Sequence, residues 1–210
     1  MPPIYQPPYD SPIEDQFAQH YVKYAGDDVA MSPQVKIKTI CGTFIVDFVL
    51  TTPAGCRVGI ECDGKEYHDA SRDEWRDAMV LGDHHLDAMY RIRGSDITYH
   101  LDDVLYLLSV LEPNLFAPRA TGNLKVLASQ EILELDMQRD VDNYQVSYSG
   151  MDLMGALHIE ARRHHVPVGQ RRFWQAAYRH AASLGGGQLD AVIADYRKQS
   201  DCSGEAAPPA

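Results

Sequence analysis

Three consecutive segments in which apolar and polar residues alternate constrain the fold of this chain more than any other feature. They cover 34–40, 43–51 and 56–63, and short turn sequences at 41–42 and 53–55 separate them. Strict alternation is typical of strands with one buried face, and short connections join antiparallel neighbours. The sequence therefore predicts a three-stranded antiparallel meander in the first third of the chain.

Helical patterns flank this meander. Ser11 and Glu14 form a capping box, which predicts that a helix begins there. After the meander, apolar spacing predicts a helix over about 71–88, a short strand over 90–93 and a leucine-rich helix over 102–112. This order predicts an α/β fold, a mixed sheet flanked by helices.

Proline and glycine clusters divide the rest of the chain. Residues 140–150 have an irregular pattern and 151–199 a helical one. The predicted organisation is a flexible Pro-rich arm at 1–10, the main α/β domain at 11–112, a linker at 113–122, a small mostly helical C-terminal region at 123–200 and a disordered tail at 201–210.

The formal net charge of the 210-residue chain is −11, and residues 1–112 hold 19 acidic against 9 Lys and Arg side chains. Such a charge excludes a general-purpose phosphate binder and is compatible with a site for divalent cations. No window approaches 18 uninterrupted apolar residues, and the N-terminus has no secretory pattern. With four cysteines and no C-x-x-C spacing, we expect a cytoplasmic protein without a membrane contact.

The register of the predicted hairpins brings acidic residues together. If the second hairpin is centred on Ala54, Asp47 lies directly across from Glu61 on the same face. If the first hairpin turns at 41–42, Lys36 faces Asp47 from the other side. Two facing carboxylates repel each other unless one is protonated or a cation lies between them. A hard divalent cation such as Mg²⁺ suits this pair.

These residues resemble a known family. A helix with Glu14, a strand with Asp47 and a next strand ending in Glu61-Cys62-Asp63-Gly64 look like the PD-(D/E)XK nuclease superfamily. His68, the Asp/Arg-rich stretch 72–77 and the Tyr90-Arg91-Ile92-Arg93 strand resemble its branch akin to very-short-patch-repair endonucleases. The resemblance covers about 11–112 and implies a restriction-endonuclease-like domain there.

The resemblance implies a Mg²⁺-dependent (or Mn²⁺-dependent) endonuclease that hydrolyses phosphodiester bonds, in DNA rather than RNA, with a metal-activated water. Asp47 and Glu61 would bind the metal, together with the carbonyl of Cys62, and Glu14 would reach the same site from its helix. The family lysine is expected at position 63, where this chain has Asp63.

The missing lysine leaves the general base open. Lys65, Lys36 and His68 are the candidates to replace it. The alternative is a catalytically inactive protein of the same fold that acts as a nucleic-acid-binding or assembly subunit. The corresponding structural interpretations give Glu14 a capping role only. They place Asp47 and Glu61 in a solvated row on the surface of the sheet.

The stretch 158–180 holds the only concentrated positive charge. The candidate nucleic-acid-binding residues in it are Arg162, Arg163, Arg171, Arg172 and Trp174. A solvated helix face with a buried tryptophan explains the pattern equally well. A third interpretation is that the stretch docks onto the acidic half of the same chain or of a partner in a homodimer.

Two pairs of adjacent histidines, His84-His85 and His164-His165, are the candidate zinc ligands. Neighbours on a helix point about 100° apart, and neither pair forms H-E-x-x-H. The sequence therefore favours no zinc site.

Overall fold

A six-stranded mixed sheet with helices on both faces forms the centre of the protein. The computed structural model describes residues 1–64, 70–137, 142–149, 156–164 and 173–203. The strands lie in the order β1-β2-β3-β4-β6-β5. They are β1 (Ala30–Thr39), β2 (Gly42–Thr51), β3 (Arg57–Asp63), β4 (Ala88–Arg93), β5 (Asn143–Ser147) and β6 (Ala156–Arg163). The predicted α/β class with a mixed sheet is confirmed.

Helices connect and cover these strands. They are α1 (Pro12–Tyr21), α2 (Ala70–Gly82), α3 (Gly94–Tyr99), α4 (Leu101–Leu111), α5 (Ala120–Leu127), α6 (Gln130–Leu133), α7 (Phe173–Ser183) and α8 (Leu189–Ser203), with a 3-10 turn at Pro113–Leu115. Within the described ranges, no helix has the length and apolar character needed to cross a membrane.

The second hairpin of the meander has the predicted register. Phe48 pairs with Ile60, and the ladder runs on to Thr51 opposite Arg57. Continued by one position, the same register places Asp47 opposite Glu61, on the same face of the sheet.

The predicted register of the first hairpin is wrong by two residues. Lys36 pairs with Ile45, not with Asp47, and the flanking pairs place Gln34 opposite Asp47. The loop consists of Ile40 and Cys41, because Thr39 pairs with Gly42. Tertiary contacts hold this loop: the Ile40 amide donates to Asp83 Oδ2, and the Ile40 carbonyl accepts from the Gly187 amide.

Strand β4 lies parallel to β3, and α2 provides the crossover between them. Helix α2 ends at Gly82, six residues before the predicted end at 88. His84 has a φ of 58°, in the left-handed region that commonly ends helices. The predicted strand at 90–93 and helix at 102–112 are found as β4 and α4, and the short helix α3 lies between them.

The second half of the chain is less helical than predicted. Strand β6 lies in the segment expected to be helical, pairs antiparallel with β4 and carries β5 at the sheet edge. Leu157, Ile159 and Ala161 are buried and alternate with more exposed neighbours. This period of two is a strand signal, but Ala, Leu, Glu and Arg favour helices and obscured it.

Two hydrophobic clusters occupy the two faces of the sheet. One contains Phe17 of α1, Ile60 of β3 and Leu105 of α4. The other contains Trp75 of α2, Met89 of β4 and Trp174 of α7. The predicted linker at 113–122 contributes buried side chains to the first cluster, Leu115 among them.

The two ends of the chain also differ from expectation. The arm at 1–10 has no helix or strand, but Tyr9 packs edge-on against Phe48, and Tyr5 Oη donates to Asp15 Oδ1 at 2.5 Å. The predicted flexible arm is therefore attached to the body of the protein. Helix α8 continues to Ser203, into the predicted disordered tail, whose remaining residues, 204–210, lie outside the described part.

Substitution of the α1 cap should have a small effect on stability. The Ser11 hydroxyl accepts a hydrogen bond from the Glu14 amide at 3.3 Å, which confirms the predicted helix start. We expect Ser11→Ala to lower the free energy of unfolding by about 1 kcal/mol. Urea unfolding measures this change. Ser183→Ala, which removes an exposed hydroxyl that donates to the His180 carbonyl near the end of α7, is the control, and a loss of several kcal/mol for Ser11→Ala would contradict this local role.

Candidate functional site

Four carboxylates lie near the point where β2 and β3 end their pairing, and we call them the carboxylate cluster. They are Glu14 of α1, Asp47 of β2, and Glu61 and Asp63 of β3. Their charges all act on the Cys62 thiol between them, whose pKa is raised well above its ordinary value, first by burial and then by these four carboxylates. Cys62 thus keeps a neutral thiol, in agreement with a core residue.

Asp47 is held against the neighbouring strand. Its Oδ2 accepts a hydrogen bond from the Cys62 amide at 2.8 Å, one residue past Glu61. Burial raises the pKa of Asp47 to about 6, and the charge of Glu14 adds to this rise, whereas the bond from Cys62 and the charge of Arg76 oppose it. The positive charge near Asp47 is therefore too small to offset the cost of burying its ionised form.

Glu61 is the most deeply placed member of the cluster, with 4% of its surface exposed. Arg76 of α2 donates through Nη2 to Glu61 Oε1 and to the carbonyl of Ile45. Burial raises the pKa of Glu61 to about 9, Arg76 opposes the rise and the charge of Asp47 adds to it. One arginine thus offsets only part of the cost of burying this carboxylate.

Glu14 connects α1 to the first hairpin. It is buried, accepts the Ser11 hydroxyl at 2.7 Å, and through Oε2 accepts the Gln34 side-chain amide at 2.9 Å. Gln34 has a φ of 50°, a left-handed conformation that is uncommon outside glycine. The capping interpretation and the site interpretation of Glu14 are compatible, because its two carboxylate oxygens make different contacts.

Asp63, at the position of the family lysine, is bound by an arginine. Arg91 of β4 donates through Nε and Nη2 to the two Asp63 oxygens at 3.0 and 2.8 Å. Arg91 also donates to Asp77 of α2 at 3.2 Å, and Arg162 of β6 donates to the other Asp77 oxygen at 2.6 Å. We call Asp77, Arg91 and Arg162 the buried ion triad, which joins α2 to two strands of the sheet.

The donor chemistry of the carboxylate cluster suits a hard divalent cation. Asp47, Glu61 and the Cys62 carbonyl would supply oxygen ligands of the kind that Mg²⁺ prefers. The raised pKa values of Asp47 and Glu61 show that added positive charge would stabilise their ionised forms. In the part of the chain that the structure describes, no group of three or more His, Cys, Asp or Glu side chains is arranged around one metal position. Arg76 would have to release Glu61 for an ion to bind there.

The candidates for the general base are not brought to the cluster by the described residues. Lys65 and His68 lie outside them, between β3 and α2. Lys36 is exposed and pairs with Ile45, so the sequence-based hypothesis that it faces Asp47 is wrong.

The candidate nucleic-acid residues that are described make contacts within the protein. Arg162 binds Asp77 and Glu160, and Arg163 donates to the hydroxyls of Tyr90 and Tyr144. Trp174 is 5% exposed. Arg171 and Arg172 lie outside the described residues. For Arg162 and Trp174 the geometry favours a structural role, and nucleic-acid binding by this stretch stays a prediction.

Three residues of the site were missed or given no role from sequence. Gln34 was missed because the first hairpin register was misjudged. Arg76 belonged to a recognised Asp/Arg-rich pattern, but its reach to β3 depends on how α2 packs. Arg91 pairs directly with Glu61 and lies on the same face of the sheet. This pairing was not predictable from local sequence, because the strands are parallel and a crossover of 24 residues, 64–87, separates them.

Comparisons with known proteins give no relative: no protein-family model, curated protein or solved structure matches this chain.

Proposed function

We propose that this protein is a metal-dependent nuclease that hydrolyses phosphodiester bonds in DNA at the carboxylate cluster. One observation carries the proposal: Asp47 is fixed by the Cys62 amide at 2.8 Å, in a register that sets it opposite the buried Glu61. Two acidic side chains in such a position suit a bound cation better than solvent. The fold agrees with the proposal, since a helix, three antiparallel strands, a crossover helix and a parallel strand follow in the order that the family resemblance implies.

Each residue of the carboxylate cluster would have its own role. Asp47 and Glu61 would bind the ion with the Cys62 carbonyl, and Glu14 would add negative charge from α1. A bound Mg²⁺ or Mn²⁺ ion would lower the pKa of a water ligand and offset the charge of the phosphate. Gln34 would position Glu14 through their hydrogen bond at 2.9 Å.

Cleavage assays with conservative variants test this proposal. We expect cleavage of single- or double-stranded DNA with Mg²⁺ or Mn²⁺, none with EDTA, and at least about a 100-fold loss of kcat/KM for Asp47→Asn and for Glu61→Gln. Glu134→Gln, which changes an exposed carboxylate at the C-cap of α6, is the matched control. RNA tested in parallel defines the substrate. Metal-dependent cleavage that survives both cluster substitutions would refute the site.

A second candidate function is a nuclease-fold subunit that binds nucleic acid or a partner protein without catalysis. The observation in its favour is that arginines already bind two of the carboxylates, Arg91 at Asp63 and Arg76 at Glu61. It predicts DNA or partner binding with no cleavage and no calorimetric response to Mn²⁺. A Mn²⁺ response in the wild type that Asp47→Asn abolishes would instead favour the nuclease.

A further inference from the structure

A small cleft lies between α2 and α8. It has a volume of about 130 Å³ and is lined by Arg72, Asp190, Ile193, Ala194 and Arg197. Ile193 and Ala194 supply an apolar wall, and the three charged side chains, two arginines and one aspartate, give the lining a net charge of +1. This local excess of positive charge contrasts with the net charge of −11 of the whole chain.

Arg197 brings to the cleft a positive charge that is held in place without being neutralised. Its Nη2 donates to the Ser71 hydroxyl at 3.0 Å, and among the residues that the structure describes no carboxylate forms a salt bridge with it. A hydroxyl positions a guanidinium group without cancelling its charge. By contrast, carboxylates bind Arg76, Arg91 and Arg162 directly. The Arg197 side chain is exposed, so an anion can reach it from solvent.

Arg72 contributes the second positive charge of the cleft. Its Nε donates to Asp190 Oδ1 at 3.0 Å, and both side chains are exposed. Such a pair is weak, because solvent screens it. A phosphate group binds a guanidinium through two parallel, charge-assisted hydrogen bonds, and it can therefore replace a weakly held carboxylate.

The cleft lies at the same end of the sheet as the carboxylate cluster. Helix α2 begins at Ala70, shortly after β3 ends at Asp63, and runs back along the sheet toward the start of the parallel strand β4. Arg72 precedes Arg76, which contacts Glu61, by four residues, or about 6 Å along the helix axis. Phosphates of one DNA strand are spaced by about 3.4 Å along the duplex axis, so about two nucleotide steps cover this distance.

We infer that the cleft between Arg72 and Arg197 binds a backbone phosphate of the substrate DNA, near the phosphodiester that the carboxylate cluster hydrolyses. The inference rests on the proposed function, because it takes DNA as the ligand. Two guanidinium groups and the Ser71 hydroxyl would bind the phosphate, and the first turn of α2 adds the positive end of the helix dipole. A contact of this kind positions the DNA and carries no sequence information.

Fluorescence anisotropy of labelled double-stranded DNA with the full chain, in Ca²⁺ in place of Mg²⁺, tests the inference. We expect Arg72→Gln and Arg197→Gln each to weaken binding about fivefold at about 0.1 M NaCl and to reduce the slope of log K against log[NaCl] by about 1. Asp190→Asn should strengthen binding, because it removes the anion from the cleft. Lys198→Gln, which removes an exposed charge from the next residue of α8, is the matched control and should change neither quantity.

The outcomes separate this site from the proposed nuclease site. Wild-type DNA affinity and salt slope in both arginine variants would overturn the inference and leave the nuclease proposal intact. Equal losses in Lys198→Gln and Arg197→Gln would also overturn it, because net charge alone would then explain the effect. No DNA binding by the wild type would overturn both proposals. Cleavage that survives Asp47→Asn, with binding weakened in Arg197→Gln, would refute the catalytic site alone.

Inorganic phosphate, compared with NaCl at matched ionic strength, separates the two sources of a phosphate group. We expect phosphate to compete with DNA more strongly in the wild type than in Arg197→Gln. If phosphate raises the thermal unfolding midpoint of the wild type but not of Arg197→Gln, while the two proteins bind DNA equally well, the cleft takes free phosphate and its assignment to DNA is overturned.

Discussion

Asp77→Ala should lower the free energy of unfolding by about 3–5 kcal/mol. Asp77 is completely buried, and its two oxygens lie 3.2 Å from Arg91 and 2.6 Å from Arg162, whose side chains are 5% and 12% exposed. Removal of this carboxylate leaves two buried guanidinium groups with one fewer anion. Burying a charge without its partner is among the most destabilising changes that a single substitution produces.

Urea unfolding followed by tryptophan fluorescence measures this effect, because Trp75 on α2 and Trp174 on α7 lie in the adjacent hydrophobic cluster. Asp77→Asn keeps the shape of the side chain and separates the loss of charge from the loss of volume. Asp190→Ala is the matched control: it breaks a pair with Arg72 at 3.0 Å in which the side chains are 49% and 78% exposed. We expect the control to lose less than about 1 kcal/mol. Similar losses for the two alanine variants would show that the buried ion triad does not hold α2 on the sheet.

The second hairpin shows which part of the site was predictable from the sequence. Local information fixed the second hairpin, because its turn sequence and the alternation on both sides allow one register that buries the apolar face. Asp47 and Glu61 were placed opposite each other on that basis alone. The arginine partners of Glu61 and Asp63 come from α2 and β4, which reach the same face only through the crossover and the packing of the helix.

The first hairpin shows where local information fails. A turn at Cys41-Gly42 and a turn at Ile40-Cys41 both preserve the alternation, because a shift of the pairing by two residues keeps every side chain on its face. The choice between them depends on Asp83 and Gly187, which bind Ile40 from distant parts of the chain. The observed turn places Gln34, and not Lys36, opposite Asp47. The neighbour of Asp47 on β1 is therefore a neutral amide and not the predicted lysine.

Glu61→Gln should change the pH dependence of stability. Burial raises the pKa of Glu61 from its ordinary value of 4.5 to about 9. Between these two values the native protein retains a proton that the unfolded chain releases. The free energy of unfolding therefore falls as the pH rises. The stabilisation from protonated Glu61 is fully present below about pH 4.5 and is lost as the pH rises to about 9, at up to roughly 1.4 kcal/mol per pH unit.

Asp47 produces the same effect over a lower range, because its pKa is raised from 3.8 to about 6. The two substitutions are therefore distinguishable. Glu61→Gln should remove the decline of wild-type stability between pH 6 and 9 and leave the part of the decline below pH 6 that Asp47 contributes. Asp47→Asn should leave the decline between pH 6 and 9 and only reduce the slope below pH 6. The advantage of the Glu61→Gln variant over the wild type should therefore grow by up to about 4 kcal/mol between pH 6 and 9.

Urea unfolding at a series of pH values measures these slopes. Glu131→Gln is the control with the opposite sign, because hydrogen bonds from its own backbone amide and then from the Ser149 amide lower the pKa of Glu131. Its stabilising effect is present above the ordinary value of 4.5 and is lost toward acid, so its removal leaves the range from pH 6 to 9 unchanged. If Glu61 instead stays ionised through its contact with Arg76, Glu61→Gln will destabilise the protein at every pH in this range and the wild-type slope will remain. In that case Arg76 already supplies the positive charge that the proposed nuclease assigns to a divalent cation, and the catalytically inactive subunit becomes the better account of the cluster.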